Sequence, residues 1–310
     1  MSTSDVRPDY PSYQKRDWEI VDYQAYCLEG TGVWLRGPKP AKLDAGQYAV
    51  CLGAAQTYGC FCERPYPAIL ERRLGFTMLN LGWGGAGPLF FLRQRPLLDY
   101  VNRARFIVVQ VMSARSEDNS VFESGGRELL RRRADGVEMD AASAYRAMLH
   151  DGRGTKLGRL WESVAHKTER RVRAVVEETR ENWVRHFVEL LKLVRVPRIL
   201  FWFSKRSPTY GESYDRVESL FGEFPQMVNQ AMIDAVRGHT DSYVECISSA
   251  GSPQLLRSRF TGQPTMVDMG DALAHAQKGQ LSAYNSYYPS PEMHEAAAQA
   301  LEVGCREWLG

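Results

Sequence analysis

Polar and cationic side chains follow three apolar stretches of this chain, at the points where the stretches end. Gln56 and Thr57 follow the first stretch, Arg115 follows a later one, and Lys205 and Arg206 follow the last. Guanidinium and ammonium groups bind carboxylate, phosphate and sulfate. If the stretches are parallel strands, their carboxyl ends meet at one edge of a sheet, where ligands bind. The pattern predicts an anion site at that edge, with ion pairs to neighbouring carboxylates as the alternative.

Backbone donors from glycine-containing turns join these side chains. Gly53 ends the first apolar stretch, and Gly84 and Gly85 lie in a loop that follows a second one. Successive backbone amides in such loops surround anions in many proteins. We therefore expect these glycines to line the same ligand site, together with Ala55 and Ser113.

Five apolar runs predict the strands that would position these groups. Each run ends in a turn that contains Gly or Ser, and helical segments separate the runs. The predicted strands are 48–53, 77–81, 105–112, 198–203 and 242–248. Strands that alternate with helices form a parallel sheet with helices on both faces. The predicted fold class is α/β, a three-layer α/β/α arrangement with a five-stranded parallel sheet.

The remaining segments divide the chain into an arm and one domain. Residues 1–45 are rich in Tyr, Trp, Pro, Gly and charge and predict an irregular N-terminal arm, whereas 46–310 form the α/β/α domain. Within this domain, 116–196 is interpreted as a helical insertion or lid that ends in a long helix. Apolar residues recur at three- and four-residue steps across 157–194. This helix either makes a homodimer contact or packs on the back of the sheet.

The loops after the first two strands resemble sequence blocks of the SGNH, or GDSL-type, hydrolases. LGAAQTYG at 52–59 resembles the GDSxTxG block, which carries the nucleophilic serine of that family. NLGWGGAG at 80–87 resembles the second block, in which a glycine amide helps form the oxyanion hole. Ala55 stands at the serine position, and an alanine cannot attack a carbonyl.

Two later blocks extend the resemblance over most of residues 46–304. Arg115, within SARS at 113–116, stands roughly at the oxyanion asparagine of the third block. In NSYYP at 285–289, Asn285 stands at the aspartate and Tyr288 at the histidine of the DxxHP block. His294 follows in the first turn of the last helix, where it either packs and caps the helix or takes part in the site.

The resemblance implies a bacterial branch of the superfamily that lacks the Ser-Asp-His triad. A serine esterase needs a nucleophile, a base that takes its proton and a carboxylate that orients the base. Tyr288 is a poor base because the pKa of tyrosine is about 10. If the chain is an enzyme without the triad, Tyr288 or His294 would handle the proton, and Arg115 would stabilise the charge that develops during the reaction.

A shorter similarity concerns the first turn alone. Gly53 to Gln56 (GAAQ) resembles the GNCQ start of bacterial capsular-polysaccharide acetyltransferase-like proteins, with Ala55 at the cysteine position. This similarity implies a phosphorylated donor such as coenzyme A, not covalently attached, and a glycan-like acceptor.

Composition limits the classes of protein to consider. The chain has 310 residues, of which 44% are hydrophobic and 25% charged, as is usual for globular proteins. A net charge of +2 gives no reason to expect a nucleic-acid partner. No apolar run approaches the roughly 20 residues of a membrane span, and the N-terminus lacks a signal-peptide core, so a cytoplasmic location is expected. Cys60 and Cys62 form no CxxC motif, and no cluster predicts a metal site.

Two hypotheses about function follow from these residues. The first is a transferase, or less readily a hydrolase, that modifies a bacterial surface polysaccharide or a similar hydroxylated acceptor; the acceptor hydroxyl would attack the donor directly. The second is a non-catalytic module that binds a ligand or glycan. A base within hydrogen-bond reach of the pocket centre favours the enzyme. A pocket of Arg, Asn and Tyr side chains alone favours binding.

We predict that a fluorophosphonate probe does not label the chain, because Ala55 supplies no nucleophile and Tyr288 is a weak base. Gel fluorescence after incubation with the probe measures the labelling, with a known serine esterase as the positive control. Labelling that disappears when a single serine is replaced would show that the first block is aligned incorrectly.

Overall fold

The computed structural model describes residues 11–150, 158–269 and 281–310, and it describes side chains in the long helix from Glu169 onward. The first ten residues of the predicted arm, and Leu157 of the predicted long helix, lie outside the described residues.

The described residues contain strands and helices in the following chain order. The strands are β1 (Tyr26–Cys27), β2 (Trp34–Leu35), β3 (Tyr48–Gly53), β4 (Thr77–Gly82), β5 (Ile107–Gln110), β6 (Phe122–Glu123), β7 (Leu129–Arg132), β8 (Glu138–Asp140), β9 (Arg198–Ser204), β10 (Ser242–Ile247), β11 (Gln254–Leu255), β12 (Val267–Asp268), β13 (Leu281–Ser282) and β14 (Tyr284–Asn285). The helices are α1 (Ser12–Arg16), α2 (Ala55–Tyr58), α3 (Tyr66–Leu74), α4 (Pro88–Arg93), α5 (Arg95–Arg103), α6 (Ala141–His150), α7 (Gly158–Leu193), α8 (Val217–Phe221), α9 (Gln230–Arg237) and α10 (Pro291–Glu307).

A five-stranded parallel sheet forms the centre of the molecule. Its strand order is β10-β9-β5-β3-β4, and every neighbouring pair is parallel. The five strands are those predicted from the sequence, with ends that differ by up to two residues. The predicted α/β fold class is therefore confirmed. Because all five strands run in one direction, the loops after them meet at one edge.

Alternating side chains of the strands build a core on each face of the sheet. On one face, Val50, Leu52 and Trp202 join a cluster with α4 to α9. On the other face, Cys51 and Phe201 pack against α3 and α10. Helices on both faces complete the three layers expected from runs that are apolar at consecutive positions.

The segment after β5 is packed into the domain and is not purely helical. Strands β6, β7 and β8 form a small antiparallel sheet ahead of α6. Phe122, Leu130 and Tyr145 from this segment are fully buried in the same core as α7. The prediction of a helical insertion is corrected in this respect, because the charged runs around 131–133 form a strand and a turn.

The long helix α7 packs on the back of the sheet along its described side chains. Val172, Val176, Trp183, Phe187 and Leu191 are fully buried in the main core. The apolar stripe that suggested a homodimer contact is therefore covered by this chain over that length. Among the described residues, no helix combines the length and apolar character that a membrane crossing requires.

We predict that Trp183→Ala lowers the free energy of unfolding by about 3–5 kcal/mol, the usual cost of removing a buried tryptophan. Trp183 is fully buried, and its Nε1–H donates to the carbonyl of Met112 at 3.0 Å, so the substitution also leaves that carbonyl unpaired. Urea denaturation measures the change. Val303→Ala, at a residue that is 69% exposed, is the control and should change stability by less than about 0.5 kcal/mol. An equal change for both variants would contradict the assignment of α7 to the core.

Candidate functional site

A close contact at the end of β3 fixes the first loop of the site. A Cβ atom on Gly53 would lie 2.3 Å from both Gln110 Oε1 and Thr57 Oγ1, so only glycine fits. Gln110 Oε1 accepts hydrogen bonds from the Ala54 amide at 3.0 Å and from Thr57 Oγ1 at 2.7 Å. Gly53 and Thr57 thus lie beneath the site and support it, although both were expected to contact ligand directly.

A small pocket opens above this support, at the carboxyl edge of the sheet. It contains about 290 Å³ of space between atoms, part of which is open solvent. Its walls come from the loops after three strands, from the arm and from later segments. The lining residues are Tyr13, Ala54, Ala55, Gln56, Gly85, Ala86, Ser113, Arg115, Ser116, Glu128, Phe224, Tyr287 and Tyr288.

The first loop brings an unpartnered polar side chain to the pocket. Gln56 is only 2% exposed, and its Oε1 atom has no hydrogen-bond partner. Within the described ranges, the backbone amides of Ala55 and Gln56 donate to no protein acceptor. A buried polar atom without a partner costs free energy, and a bound donor group would remove that cost.

The glycine loop after β4 brings a backbone amide to the same place. Gly85 has a positive φ of 72°, and a Cβ atom there would lie 2.7 Å from Glu128 Cβ. Its carbonyl accepts a hydrogen bond from Ser116 Oγ at 2.8 Å, whereas its N–H has no protein acceptor among the described residues. Gly84 instead lies beneath the Tyr13 ring, where a Cβ atom would approach within 2.3 Å.

Arg115 lies at the pocket as expected, but it already has a carboxylate partner. Its Nη2 donates to Glu128 Oε1 at 2.7 Å and to the Tyr287 hydroxyl at 3.2 Å. The Arg115 side chain is 11% exposed. Burial disfavours its charge, but the Glu128 carboxylate and nearby tyrosines together raise its pKa above the ordinary value. The guanidinium is thus held charged, and its Nε and Nη1 donate to no protein atom in the described chain.

The last loop places two tyrosines in the pocket through an asparagine-centred turn. Asn285 Oδ1 accepts from the amides of Tyr287 and Tyr288, and its Nδ2 donates to Gln254 Oε1 and to the Tyr288 carbonyl. Asn285 is fully buried and shapes the turn without lining the pocket. Burial raises the pKa of Tyr288 far above its usual range, so its hydroxyl is a hydrogen-bond donor and a poor base.

The N-terminal arm forms one wall of the pocket. The Tyr13 hydroxyl lies 3.5 Å from that of Tyr288, and burial raises the pKa of Tyr13 well above its usual range. The Arg16 guanidinium lies over the Tyr13 and Phe61 rings, 4.8 Å from each centroid, and pairs with the buried carboxylate of Asp17. These contacts hold the arm against the sheet edge.

The structure does not bring Lys205 and Arg206 to Arg115. Lys205 Nζ donates to Ser252 Oγ at 2.8 Å and to the Ser286 carbonyl. Arg206 donates to carbonyls at 207, 223, 225 and 228 and lies between the Trp202 and Tyr210 rings. Both cations hold neighbouring loops together. The expected three-cation anion site is therefore corrected to one arginine with a carboxylate partner.

His294 packs beside Tyr66 and does not reach the pocket. It is fully buried, and its Nδ1 accepts the backbone N–H of Tyr66 at 3.2 Å, whereas Nε2 has no partner. It is absent from the pocket lining. Burial, with a smaller effect of Arg36, lowers its pKa to about 3. The proposed proton-handling role is thus replaced by a packing role for a neutral imidazole.

The cysteines give no reactive thiol at the site. Cys60 and Cys62 are buried, and burial raises the pKa of each, that of Cys62 to about 11. In the described ranges, no three His, Cys, Asp or Glu side chains lie close enough to hold a metal ion.

Sequence reasoning missed seven of the lining residues, among them Tyr13, Glu128 and Tyr287. Tyr13 belongs to the arm, Glu128 to the segment between β6 and β7, and Tyr287 was passed over beside Tyr288. Only the adjacent tyrosine pair gave a local signal, since Tyr287 precedes the position that matches a family block. The other two reach the pocket through tertiary packing.

The assembled pocket presents hydrogen-bond donors, but its lining lacks a nucleophile in contact with a base. Its donors are Arg115 and unpartnered backbone amides, such as that of Gly85. Ser113 and Ser116 donate their hydroxyls to carbonyls, and the lining contains no imidazole or thiol.

We predict that His294 makes stability depend on pH. Folded His294 stays neutral down to a pKa of about 3, whereas the unfolded histidine takes a proton near its ordinary pKa of 6.5. The unfolded state therefore binds more protons between these values. The stability present above pH 6.5 is lost as pH falls toward 3, by up to about 1.4 kcal/mol per pH unit.

The measurement is urea denaturation of wild type and His294→Asn at pH 7, 6 and 5. Asn Oδ1 can replace Nδ1 as acceptor of the Tyr66 N–H, and the variant should lose less stability on acidification. His239→Asn is the control at a half-buried histidine and should follow the wild type. Equal slopes for wild type and His294→Asn would overturn the prediction.

Comparisons with solved structures find low similarity across most of the chain. A family two carbohydrate esterase from Clostridium thermocellum, in complex with cellohexaose, is 11% identical over 90% of this chain and 68% of its own, with a TM-score of 0.37. A family two carbohydrate esterase with a carbohydrate-binding domain from Corynascus thermopiles is 12% identical over 87% of this chain and 69% of its own, with a TM-score of 0.38. A family two carbohydrate esterase from Cellvibrio japonicus is 12% identical over 89% of this chain and 67% of its own, with a TM-score of 0.35. Likenesses this low say nothing about the activity of this chain.

Sequence comparison is more decisive about the family. No curated protein sequence matches the chain significantly. The family model described as "Domain of unknown function (DUF6473)" matches residues 12–309, which include the arm, the sheet and the last helix. The chain therefore belongs to the DUF6473 family.

Proposed function

We propose that the pocket binds a small ligand through an oxyanion group and that the chain is a binding module without covalent catalysis. The observation that carries this proposal is Arg115, whose Nε and Nη1 have no protein acceptor in the described chain although the side chain is largely buried. A ligand oxygen would accept those N–H groups in a charge-assisted hydrogen bond.

The backbone around Arg115 supports the same conclusion. The unpartnered amides of Ala55 and Gly85 also line the pocket and would contribute further donors. Alanine stands where a nucleophile would be, and buried Tyr288 is a poor base, so the residues needed for acyl-enzyme chemistry are missing from the lining. A site with donors and no nucleophile is suited to holding an acid or acyl group.

A transferase is the second candidate, and one observation favours it. Glu128 Oε2 accepts no hydrogen bond from protein atoms in the described ranges, so it is a carboxylate that could take a proton from an acceptor hydroxyl. The acceptor hydroxyl, glycan-like in this hypothesis, would attack the donor carbonyl directly while Arg115 and the amides stabilise the oxyanion. The oxyanion would then collapse, the bond between the acyl group and the rest of the donor would break, and the leaving group would take the proton from Glu128.

A phosphate-rich donor such as coenzyme A fits this pocket poorly. Arg115 is the one cation among the lining residues and is already paired with Glu128. Lys205 and Arg206 donate to neighbouring loops. A donor of that kind would need to place its phosphates elsewhere, so no step is assigned to it.

We predict that Arg115→Ala weakens binding of acetate or sulfate about tenfold or more. One charge-assisted hydrogen bond contributes roughly 1.5–3 kcal/mol, and about 1.4 kcal/mol is a factor of ten. Arg115→Lys should also bind less well, because an ammonium does not reproduce the planar guanidinium. Titration calorimetry measures the affinities, and circular dichroism checks the fold.

The control is Arg131→Ala, which removes an exposed arginine paired with Glu123 and should not change anion binding. Equal affinities for wild type and Arg115→Ala would contradict the proposal. Turnover of an activated ester that requires Glu128, measured with Glu128→Gln, would instead support the transferase.

A further inference from the structure

The pocket lining contains one positive and one negative side chain, and they touch. Arg115 Nη2 donates to Glu128 Oε1 at 2.7 Å. The other lining residues are neutral at physiological pH, because burial raises the pKa of Tyr13, Tyr287 and Tyr288. The lining is therefore electrically neutral overall. A simple anion bound by Arg115 would add a net charge to a largely buried place, so we expect it to bind less tightly than a ligand that carries both charges.

Each member of this ion pair keeps unused hydrogen-bonding atoms. Arg115 retains Nε and Nη1, and Glu128 retains Oε2, with no protein partners in the described part of the chain. These free donor and acceptor atoms belong to two side chains that are in direct contact through Nη2 and Oε1. They match a ligand that carries an anionic and a cationic group on neighbouring atoms.

Backbone amides and the Gln56 side chain add further donors and acceptors at the pocket. Glu128 Oε2 would lie 3.2 Å from a Cβ atom on Gly85, so this acceptor is next to the unpartnered Gly85 amide. In the first loop, the unpartnered Gln56 Oε1 is an acceptor on a residue whose own amide lacks a partner. A pure anion would leave Gln56 Oε1 and Glu128 Oε2 without donors.

We propose that the ligand is a small zwitterion of the α-amino acid class. Its carboxylate accepts from Arg115 and the Gly85 amide, and its ammonium group donates to Glu128 Oε2 and Gln56 Oε1. This inference rests on the proposed oxyanion-binding function and adds the second charge of the ligand. The ligand charges cancel as those of Arg115 and Glu128 do, so the complex stays neutral.

The aromatic walls of the pocket agree with this ligand class. Tyr13, Tyr287 and Tyr288 lie together, with neighbouring ring centroids 4.9 to 6.4 Å apart, and aromatic rings attract ammonium groups. The tyrosines would also exclude water from the ion pairs and thereby strengthen them.

The test compares amino acids with the hydroxy acids that replace only the ammonium group. Titration calorimetry at pH 7 measures binding of glycine, L-alanine and L-serine against glycolate, L-lactate and glycerate, with acetate as the simple anion. We expect at least one amino acid to bind tenfold or more tightly than its hydroxy acid. If no amino acid binds more tightly than its counterpart, the inference is overturned.

Glu128→Gln then tests whether Glu128 binds the ammonium group of the ligand. The variant should weaken amino-acid binding tenfold or more while hydroxy-acid binding stays equal or improves, because Arg115 loses its competing carboxylate. Glu123→Gln, in the exposed pair with Arg131, is the matched control and should change neither. An unchanged amino-acid affinity in Glu128→Gln overturns the assignment.

These outcomes separate the two proposals. Equal binding of alanine, lactate and acetate, weakened in Arg115→Ala, would overturn the zwitterion and retain the oxyanion-binding function. Binding of none of these compounds, acetate and sulfate included, would overturn both. The wild-type comparison does not depend on any variant folding correctly.

Discussion

The contact between Gly53, Thr57 and Gln110 is the constraint on which the site depends. Strand β3 ends at a residue with no side chain, so Gln110 from the neighbouring strand approaches closely enough to hold the next loop through its Oε1 atom. Asn80 does the same for the second loop, donating to the Thr57 carbonyl at 2.9 Å and accepting from the Gly82 amide. Polar side chains of β4 and β5 thus fix the loops that form the pocket floor, and the register of the parallel sheet determines where the unpartnered amides lie.

Above that floor, one ion pair joins segments that are distant in the fold. Arg115 follows β5, and Glu128 precedes β7 in the segment packed over the sheet edge. Glu128 also covers Gly85, which has no Cβ atom to clash with it. The pair therefore serves packing and leaves atoms for a ligand at the same time. This double role explains why the pocket can be both largely buried and polar, since buried charges persist in proteins when they are paired and hydrogen-bonded.

Tyr288 and His294 follow each other closely in the chain but lie in different surroundings. Asn285 shapes the last loop with the hydrogen bonds that a turn requires, and it presents Tyr288 to the pocket. His294 lies one helical turn into α10, where its neutral ring accepts the Tyr66 amide in a buried layer of aromatic side chains. An imidazole with a strongly lowered pKa adds to stability at neutral pH and takes no part in proton transfer at the pocket.

The sequence by itself determined the five strands and the three-layer class. Apolar runs and glycine turns are local signals, because a strand buried on both faces must be apolar over its own length. The sequence also predicted that Gln56, Gly85 and Arg115 lie at the sheet edge, because parallel strands bring the loops that follow them together. Only the tertiary structure decided which side chains meet there. Tyr13 contacts Tyr288, which is 275 positions away in the chain. Lys205 and Arg206 donate hydrogen bonds to backbone carbonyls of nearby loops. Such pairings depend on packing between segments far apart in the chain, and no local pattern of residue types encodes them.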